Sequence, residues 1–367
     1  METGRDRVLN AIGHVQPEVT PVNLGGIYGI ERWLKRFGVR DELELRDKLG
    51  VDIEYARPVY FGPLAGSGLG IFRTPVEGVF GADGSGYSSA RAVYPLASAT
   101  TVADIDAYAW PDPGCFDYDV TAEALRNIPA GRARRIDMKY GIAGPGRPRI
   151  QATHSGPWIP LICTLFDLFG FEQALFLFAS QPSLIEAAIS HIEEFTLEFA
   201  RRMIESTRGL ADIFYYGDDF ATQRGMMVSP AQWRGLLKPT YRRVFEQARR
   251  AGLKVWFHSC GAFRPVLPDL IECGMDVWET VQAHLKGNDP VGLKRDFGRD
   301  LAFYGAVNTQ QTLPSGSPED VRREVSERIR VLGAGGGYIC GPDHGIMPDV
   351  PIENVLALIE AARSFRF

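Results

Sequence analysis

Residues 253–279 read LKVWFHSCGAFRPVLPDLIECGMDVWE, and their pattern changes three times. The run LKVWF (253–257) is short and mostly apolar on both of its faces, as a buried parallel strand is. A glycine-containing turn follows, then a helical stretch through PDLIECG, then a second apolar run, MDVW (275–278). Strand, crossover helix and strand form the repeating unit of a parallel sheet.

The unit recurs in both directions along the chain. ADIFYY (211–216), LAFY (301–304) and GYI (337–339) read as further buried strands, and TPVN (20–23), VDIEY (51–55) and RIQAT (149–153) as three more upstream. Helix starts fall between them. Ser183 and Glu186 have capping-box spacing before an apolar stripe at Leu184, Ala188, Ile192, Phe195, Phe199 and Met203. Ser229 with Pro230 and Gln232, and Ser317 with Pro318 and Asp320, place a hydroxyl cap before a proline at the first helical position. Eight strand candidates mostly separated by helices predict an α/β fold, a (β/α)8 TIM barrel forming a single domain over 1–367, with an open doubly wound sheet as the alternative. The stretch 60–147 is rich in glycine, proline and aromatics (GPLAGSGLG, FGADGSGYSS, YAWPDPG). It predicts an inserted hairpin-rich segment after the second strand, lying over the barrel mouth.

Bulk properties narrow the function. The 367 residues are 45% hydrophobic and 23% charged, with a net charge of −5. This is the balance of an ordinary globular protein, and no basic run exists to neutralise a phosphate backbone, so no nucleic-acid partner is expected. METGRDRVLNAIGHV carries Glu2, Arg5, Asp6 and Arg7 and does not read as a signal peptide. No apolar stretch reaches the roughly 18 residues of a membrane span, and the expected location is cytoplasmic. The five cysteines, at 115, 163, 260, 273 and 340, are too few and too scattered for a disulfide framework.

In TIM barrels the reacting groups sit where strands end. After the expected strands come His154, Tyr216 with Asp218 and Asp219, His258 and Cys260, Glu279, Asn308, and Cys340 with Asp343 and His344. His258 and Cys260 alternate on an extended segment, so they can face one point, and Cys340 at the end of the last strand can reach the same mouth. One nitrogen and two sulfurs suit tetrahedral zinc with an open position. The spacing alone also leaves open inert core thiols and, as a further option, a Cys260–Cys340 redox pair. Asp218 and Asp219 are candidate catalytic carboxylates, or else one caps a loop while the other is solvated. Glu279 is a candidate fourth ligand, and His154, Tyr216 and Asn308 are candidate substrate contacts. His344, in a glycine-flanked loop, is a candidate catalytic group that Asp343 could orient. Cys115, Cys163 and Cys273 read as structural.

The blocks RDRVLNAIGHVQPEVTPV, SPAQWRGLLKPTYRRVFEQAR, VWFHSCGAFRPVLPDLIECGMDV and GGYICGPDHGIMPDVPIENV resemble the uroporphyrinogen decarboxylase superfamily, which includes zinc- and corrinoid-dependent methyltransferases. The resemblance implies a TIM barrel. The arginine-rich segment with which true decarboxylases grip substrate carboxylates is replaced here by PVNLGGIYGIERW. The tyrosine of the decarboxylase G-x-P-W segment falls on Cys163 in SGPWIPLIC, whereas His344 matches the decarboxylase G-H-G position. The methyltransferase branch is marked by H-x-C and a distant cysteine, and that pattern picks out His258, Cys260 and Cys340 as zinc ligands.

The resemblance therefore implies a methyltransferase that moves a methyl group between a small-molecule substrate (a methyl ether, a methanol-like donor or a thiol acceptor) and a corrinoid (cobalamin). Zinc would act as Lewis acid on the thiol or on the leaving oxygen. No D-x-H-x-x-G segment is evident, so the corrinoid is expected on a separate protein. A homodimer is a further expectation carried by the family. The alternatives are a decarboxylase-like lyase acting on a carboxylated aromatic, and a non-catalytic partner of a corrinoid shuttle.

Overall fold

The computed structural model describes residues 2–62, 94–139, 141–142 and 159–367. Seven parallel strands run in sequential spatial order: β1 (Ile53–Ala56), β2 (Ala133–Asp137), β3 (Ile213–Gly217), β4 (Lys254–His258), β5 (Val277–Val281), β6 (Ala302–Val307) and β7 (Tyr338–Pro342). The ring closes through the chain around Val22. Cys340 N donates to Pro21 O at 2.8 Å and Asn23 N to Cys340 O at 3.0 Å, while Asp52 N, just ahead of β1, donates to Val22 O at 2.9 Å. This eighth wall element makes the fold the TIM barrel expected from the sequence.

Seven of the eight expected wall segments fall on or within a few residues of the observed ones. The exception is the third. RIQAT (149–153) lies outside the described residues, and the wall position between β1 and β3 is taken by ARRID, residues 133–137. The stretch 60–147 is therefore not all insertion, because its C-terminal part builds the barrel. Val59–Tyr60 instead joins Phe116–Asp117 and residues 141–142 in a separate three-stranded sheet. ARRID escapes an apolar-strand search because it points Arg135 and Asp137 into the barrel while Arg134 faces away.

Alternation along each strand sorts the core into two compartments. Inside the barrel, Ile53, Ala133, Ile213, Val277, Ala302 and Ile339 pack together with Tyr215, Trp256 and Tyr304. Helix α1 (Gly4–Ile12) joins this cluster through Val8, Ala11 and Ile12, its start fixed by a capping box in which Thr3 accepts from Asp6 N. Outside the strands, a larger shell buries the apolar faces of α2 (Leu161–Phe169), α3 (Pro182–Ser206), α4 (Lys238–Arg250), α5 (Pro318–Leu332) and α6 (Ile352–Ser364).

The Ser229 and Ser317 capping boxes form as read, each worth about 1 kcal/mol. Ser183 does not cap. Helix α3 starts two residues earlier than such a cap would set, at Pro182 with Gln181 as its boundary residue, because proline takes the first helical position. The apolar stripe from Leu184 to Met203 is buried as expected. Among the described residues no single helix is long and apolar enough to cross a membrane.

Candidate metal centre

Strands β4 and β5 pair in register, with Glu279 opposite His258. Both side chains face into the barrel at its C-terminal mouth, so the carboxylate meets the imidazole edge, with Glu279 Oε1 3.2 Å from His258 Nδ1. The other ring nitrogen, Nε2, lies 3.6 Å from Cys260 Sγ and 3.7 Å from Asp219 Oδ1. One ligand atom from each of Asp219, His258 and Cys260 lies within 4.8 Å of the other two, close enough to hold one metal ion.

Local backbone geometry sets this convergence. Cys260 N donates to Asp219 Oδ1 at 2.8 Å, tying the loop after β4 to the loop after β3. Gly261 then turns at φ +92°, and a Cβ there would lie 2.7 Å from the backbone of Ala221 and Thr222, so only glycine fits. Its N–H donates to Gln282 Oε1 at 2.8 Å, and its carbonyl accepts from Asn288 Nδ2 at 3.2 Å.

The electrostatics favour a cation. Burial, and then the nearby Asp219, Asp343 and Glu279 carboxylates, push the Cys260 thiol well above its ordinary value. A divalent ion would offset that accumulation of negative charge and stabilise the thiolate. Burial works to raise the Glu279 carboxyl, but the His258 hydrogen bond and the Arg135 charge outweigh it and hold the group at about 2. Nitrogen, sulfur and carboxylate donors around one point, with a carboxylate behind the histidine, form a donor set that zinc accepts.

Several expected site residues stand elsewhere. Cys340 is fully buried on the outer face of β7 in the shell beneath the helices, while its neighbour Ile339 faces inward. Burial pushes its thiol up to about 12, and the charges that reach it are Arg363 of α6 and Glu324 of α5. The structure does not bring it to His258 and Cys260. Ending the last strand at GYI left the facing of Cys340 unfixed, and a shift of one residue reverses every side chain. Tyr216 is displaced in the same way. It packs outside against Tyr241 and Phe257, and Tyr215 faces the site instead.

Glu279 supports His258 from behind rather than joining the ligand face. Asn308 uses its Oδ1 to accept from Gln310 N and Gln311 N at 2.8 and 2.9 Å, shaping a turn. Asp218 is fully buried and accepts from Ile162 N at 2.7 Å, Cys163 N at 3.2 Å and Tyr241 Oη at 2.6 Å, so it caps the start of α2 from across the barrel wall. Of the adjacent pair, Asp219 alone faces the metal centre.

His344 opens into the mouth, and the surrounding protein and then His258 hold its imidazole below the ordinary histidine value. Asp343 turns away from it to accept from Thr309 N and Oγ1, at 3.0 and 2.6 Å. His154 lies outside the described residues.

Sequence reasoning missed a cationic wall. Arg135 stacks 4.2 Å over the Tyr215 ring, pairs with Asp137 at 2.7 Å and reaches Glu279 at 3.3 Å. Arg57 pairs with Asp137 at 2.8 Å, and Lys139 Nζ lies 5.2 Å from the Tyr215 ring. Arg135, Asp137 and Lys139 are spaced by two, which places them on one face of an extended run. That spacing was the available signal.

The fold and site together define a TIM barrel with a candidate metal centre at its C-terminal mouth. The chain belongs to the uroporphyrinogen decarboxylase family, whose profile, described as Uroporphyrinogen decarboxylase (URO-D), matches residues 150–365. It is 30% identical over 181 residues to the uroporphyrinogen decarboxylase of Thermus thermophilus, covering 48% of each chain. To the methylcobamide:CoM methyltransferase of Methanosarcina barkeri it is 25% identical over 213 residues, covering 56% of this chain and 58% of that protein. These matches span about half the length of the curated relatives. A solved methyltransferase from Methanosarcina mazei superposes with a TM-score of 0.62 at 18% identity, covering 99% of this chain and 98% of that one, a likeness of fold.

Proposed function

We propose that this chain catalyses zinc-dependent methyl transfer between a small substrate and a corrinoid carried on a separate protein. The observation that carries the reading is the convergence of Asp219, His258 and Cys260 at the barrel mouth, with Glu279 behind His258. The activities named for the Methanosarcina relatives, methylcobamide:CoM methyltransferase and methylated-thiol–coenzyme M methyltransferase, support it and point to a thiol as the small substrate.

Each residue has a defined task. His258 Nε2, Cys260 Sγ and Asp219 Oδ1 would hold the ion. Zinc supplies a Lewis acid there, stabilising a thiolate or a departing oxygen. Glu279 accepts from His258 Nδ1, which fixes the imidazole tautomer with Nε2 facing Cys260 and Asp219. Arg135 keeps Glu279 ionised, and Tyr215 and Trp256 wall the site beneath it. His344, exposed at the mouth with its imidazole below the ordinary histidine value, would exchange a proton with substrate.

The experiment is methyl transfer from methylcobalamin to 2-mercaptoethanol by zinc-loaded protein, followed by cobalamin absorbance. The wild type should form the methyl thioether, and His258→Ala and Cys260→Ala should lose both zinc and transfer. The 30% identity to a decarboxylase supports a second reading, decarboxylation of a carboxylated aromatic. Release of carbon dioxide from uroporphyrinogen by zinc-free protein, with no methyl transfer, would select it.

A further inference from the structure

A run of buried ion pairs crosses the barrel interior and ends at the metal centre. Asp137, the last residue of β2, has a fully buried side chain and takes two guanidinium groups. Arg57 Nε and Nη2 donate to its Oδ2 at 3.0 and 2.8 Å. Arg135 Nε pairs with Oδ1 at 2.7 Å, and Arg135 Nη2 donates to Oδ2 at 3.3 Å. The third nitrogen of that guanidinium, Nη1, reaches on to Glu279 Oε2 at 3.3 Å.

Strands β2 and β5 are not neighbours, because β3 and β4 stand between them in the sheet. Arg135 therefore meets Glu279 across the lumen, 4.2 Å over the Tyr215 ring of β3 and 5.7 Å from the Trp256 ring of β4. Trp256 Nε1 also donates to Glu279 Oε2. Two donors thus hold Oε2, and Oε1 faces His258 Nδ1 at 3.2 Å. An arginine side chain carries about 2 kcal/mol of rotamer entropy, so a span of this kind needs an anchor. Asp137 supplies it by engaging two of the three guanidinium nitrogens, and Arg57 holds Asp137 in turn.

We propose that Asp137 is a positioning residue for the metal centre, acting through Arg135 and Glu279 on His258. Asp137 fixes the guanidinium fork, and the fork with Trp256 fixes the Glu279 carboxylate. The carboxylate in turn orients the imidazole whose Nε2 faces Cys260 and Asp219. Arg135 thereby has a directional task besides its charge, one that a lysine ammonium, with no planar fork, does not perform. The inference rests on the reading of Asp219, His258 and Cys260 as the metal-binding set, and adds what aims the histidine from the far side of the barrel.

A double-mutant cycle on zinc affinity tests it, read by competition with a chelator, with the cobalt(II) absorption spectrum of each protein as a second readout of ligand geometry. Asp137→Asn should bind zinc about tenfold more weakly than wild type and change the cobalt spectrum. In the Glu279→Gln background the same substitution should cause no further loss, because the carboxylate through which it acts is gone. Tyr241→Phe, which weakens the wall elsewhere, should keep both affinity and spectrum. Arg135→Lys retains a positive charge beside both carboxylates and should still lose about tenfold in affinity; it carries the same cycle if Asp137→Asn does not fold. Equal losses in the two backgrounds would overturn the inference alone, as would full affinity with an unchanged spectrum in Arg135→Lys. A folded wild type that binds no zinc would overturn it together with the metal reading.

Discussion

Glu279 Oε1 lies 3.2 Å from His258 Nδ1, across two strands whose register sets the residues side by side. The carboxylate is held ionised against burial, so it fixes which imidazole nitrogen faces Cys260 and Asp219. Glu279→Gln keeps the shape and removes the charge. The expected result is a zinc affinity about 10–100-fold weaker with the fold intact, read by competition with a chelator. An unchanged affinity would show that His258 needs no partner.

Asp218 and Tyr241 predict the opposite pattern. The Tyr241 hydroxyl donates to Asp218 Oδ2 at 2.6 Å inside the wall, away from the ligand atoms. Tyr241→Phe should lower stability by about 1.5–3 kcal/mol, the range for a buried hydrogen bond to a charged group, with zinc content unchanged. Urea unfolding and metal analysis on the same preparation check both halves. Zinc loss without destabilisation would contradict the structural role assigned to Asp218.

Lys139 predicts a pH dependence. Burial, and then the Arg57 charge, lower its ammonium from 10.5 to about 8 in the folded chain. The unfolded chain therefore binds the proton more tightly between those values, and stability rises with pH across that window. Put the other way, the contribution is present above 10.5 and lost as pH falls through about 8. Its size is on the order of 3 kcal/mol. The stability of wild type minus that of Lys139→Met, followed from neutral to alkaline pH, should climb by that amount, and a flat difference would refute the lowered value.

The barrel was legible because most of its strands are apolar on both faces and its helices are announced by Ser229 and Ser317. The third strand was not, because Arg135 and Asp137 give an inward face the polarity of a surface loop. His258, Cys260 and Asp219 could be found from sequence, since they follow clear strands. Which way Cys340 and Tyr216 point could not, because each depends on a single residue of register at a strand end.

The central claim is that the metal is held by His258 and Cys260 with Asp219, and not by Cys340. Zinc stoichiometry of wild type, Cys260→Ala and Cys340→Ala, each purified in the same zinc-containing buffer, tests it most directly. Cys340 sits in the apolar shell and is expected to cost only modest stability on truncation. The account predicts one zinc per chain in wild type and in Cys340→Ala, and its loss in Cys260→Ala. Zinc retained without Cys260, or lost from a folded Cys340→Ala, would contradict it.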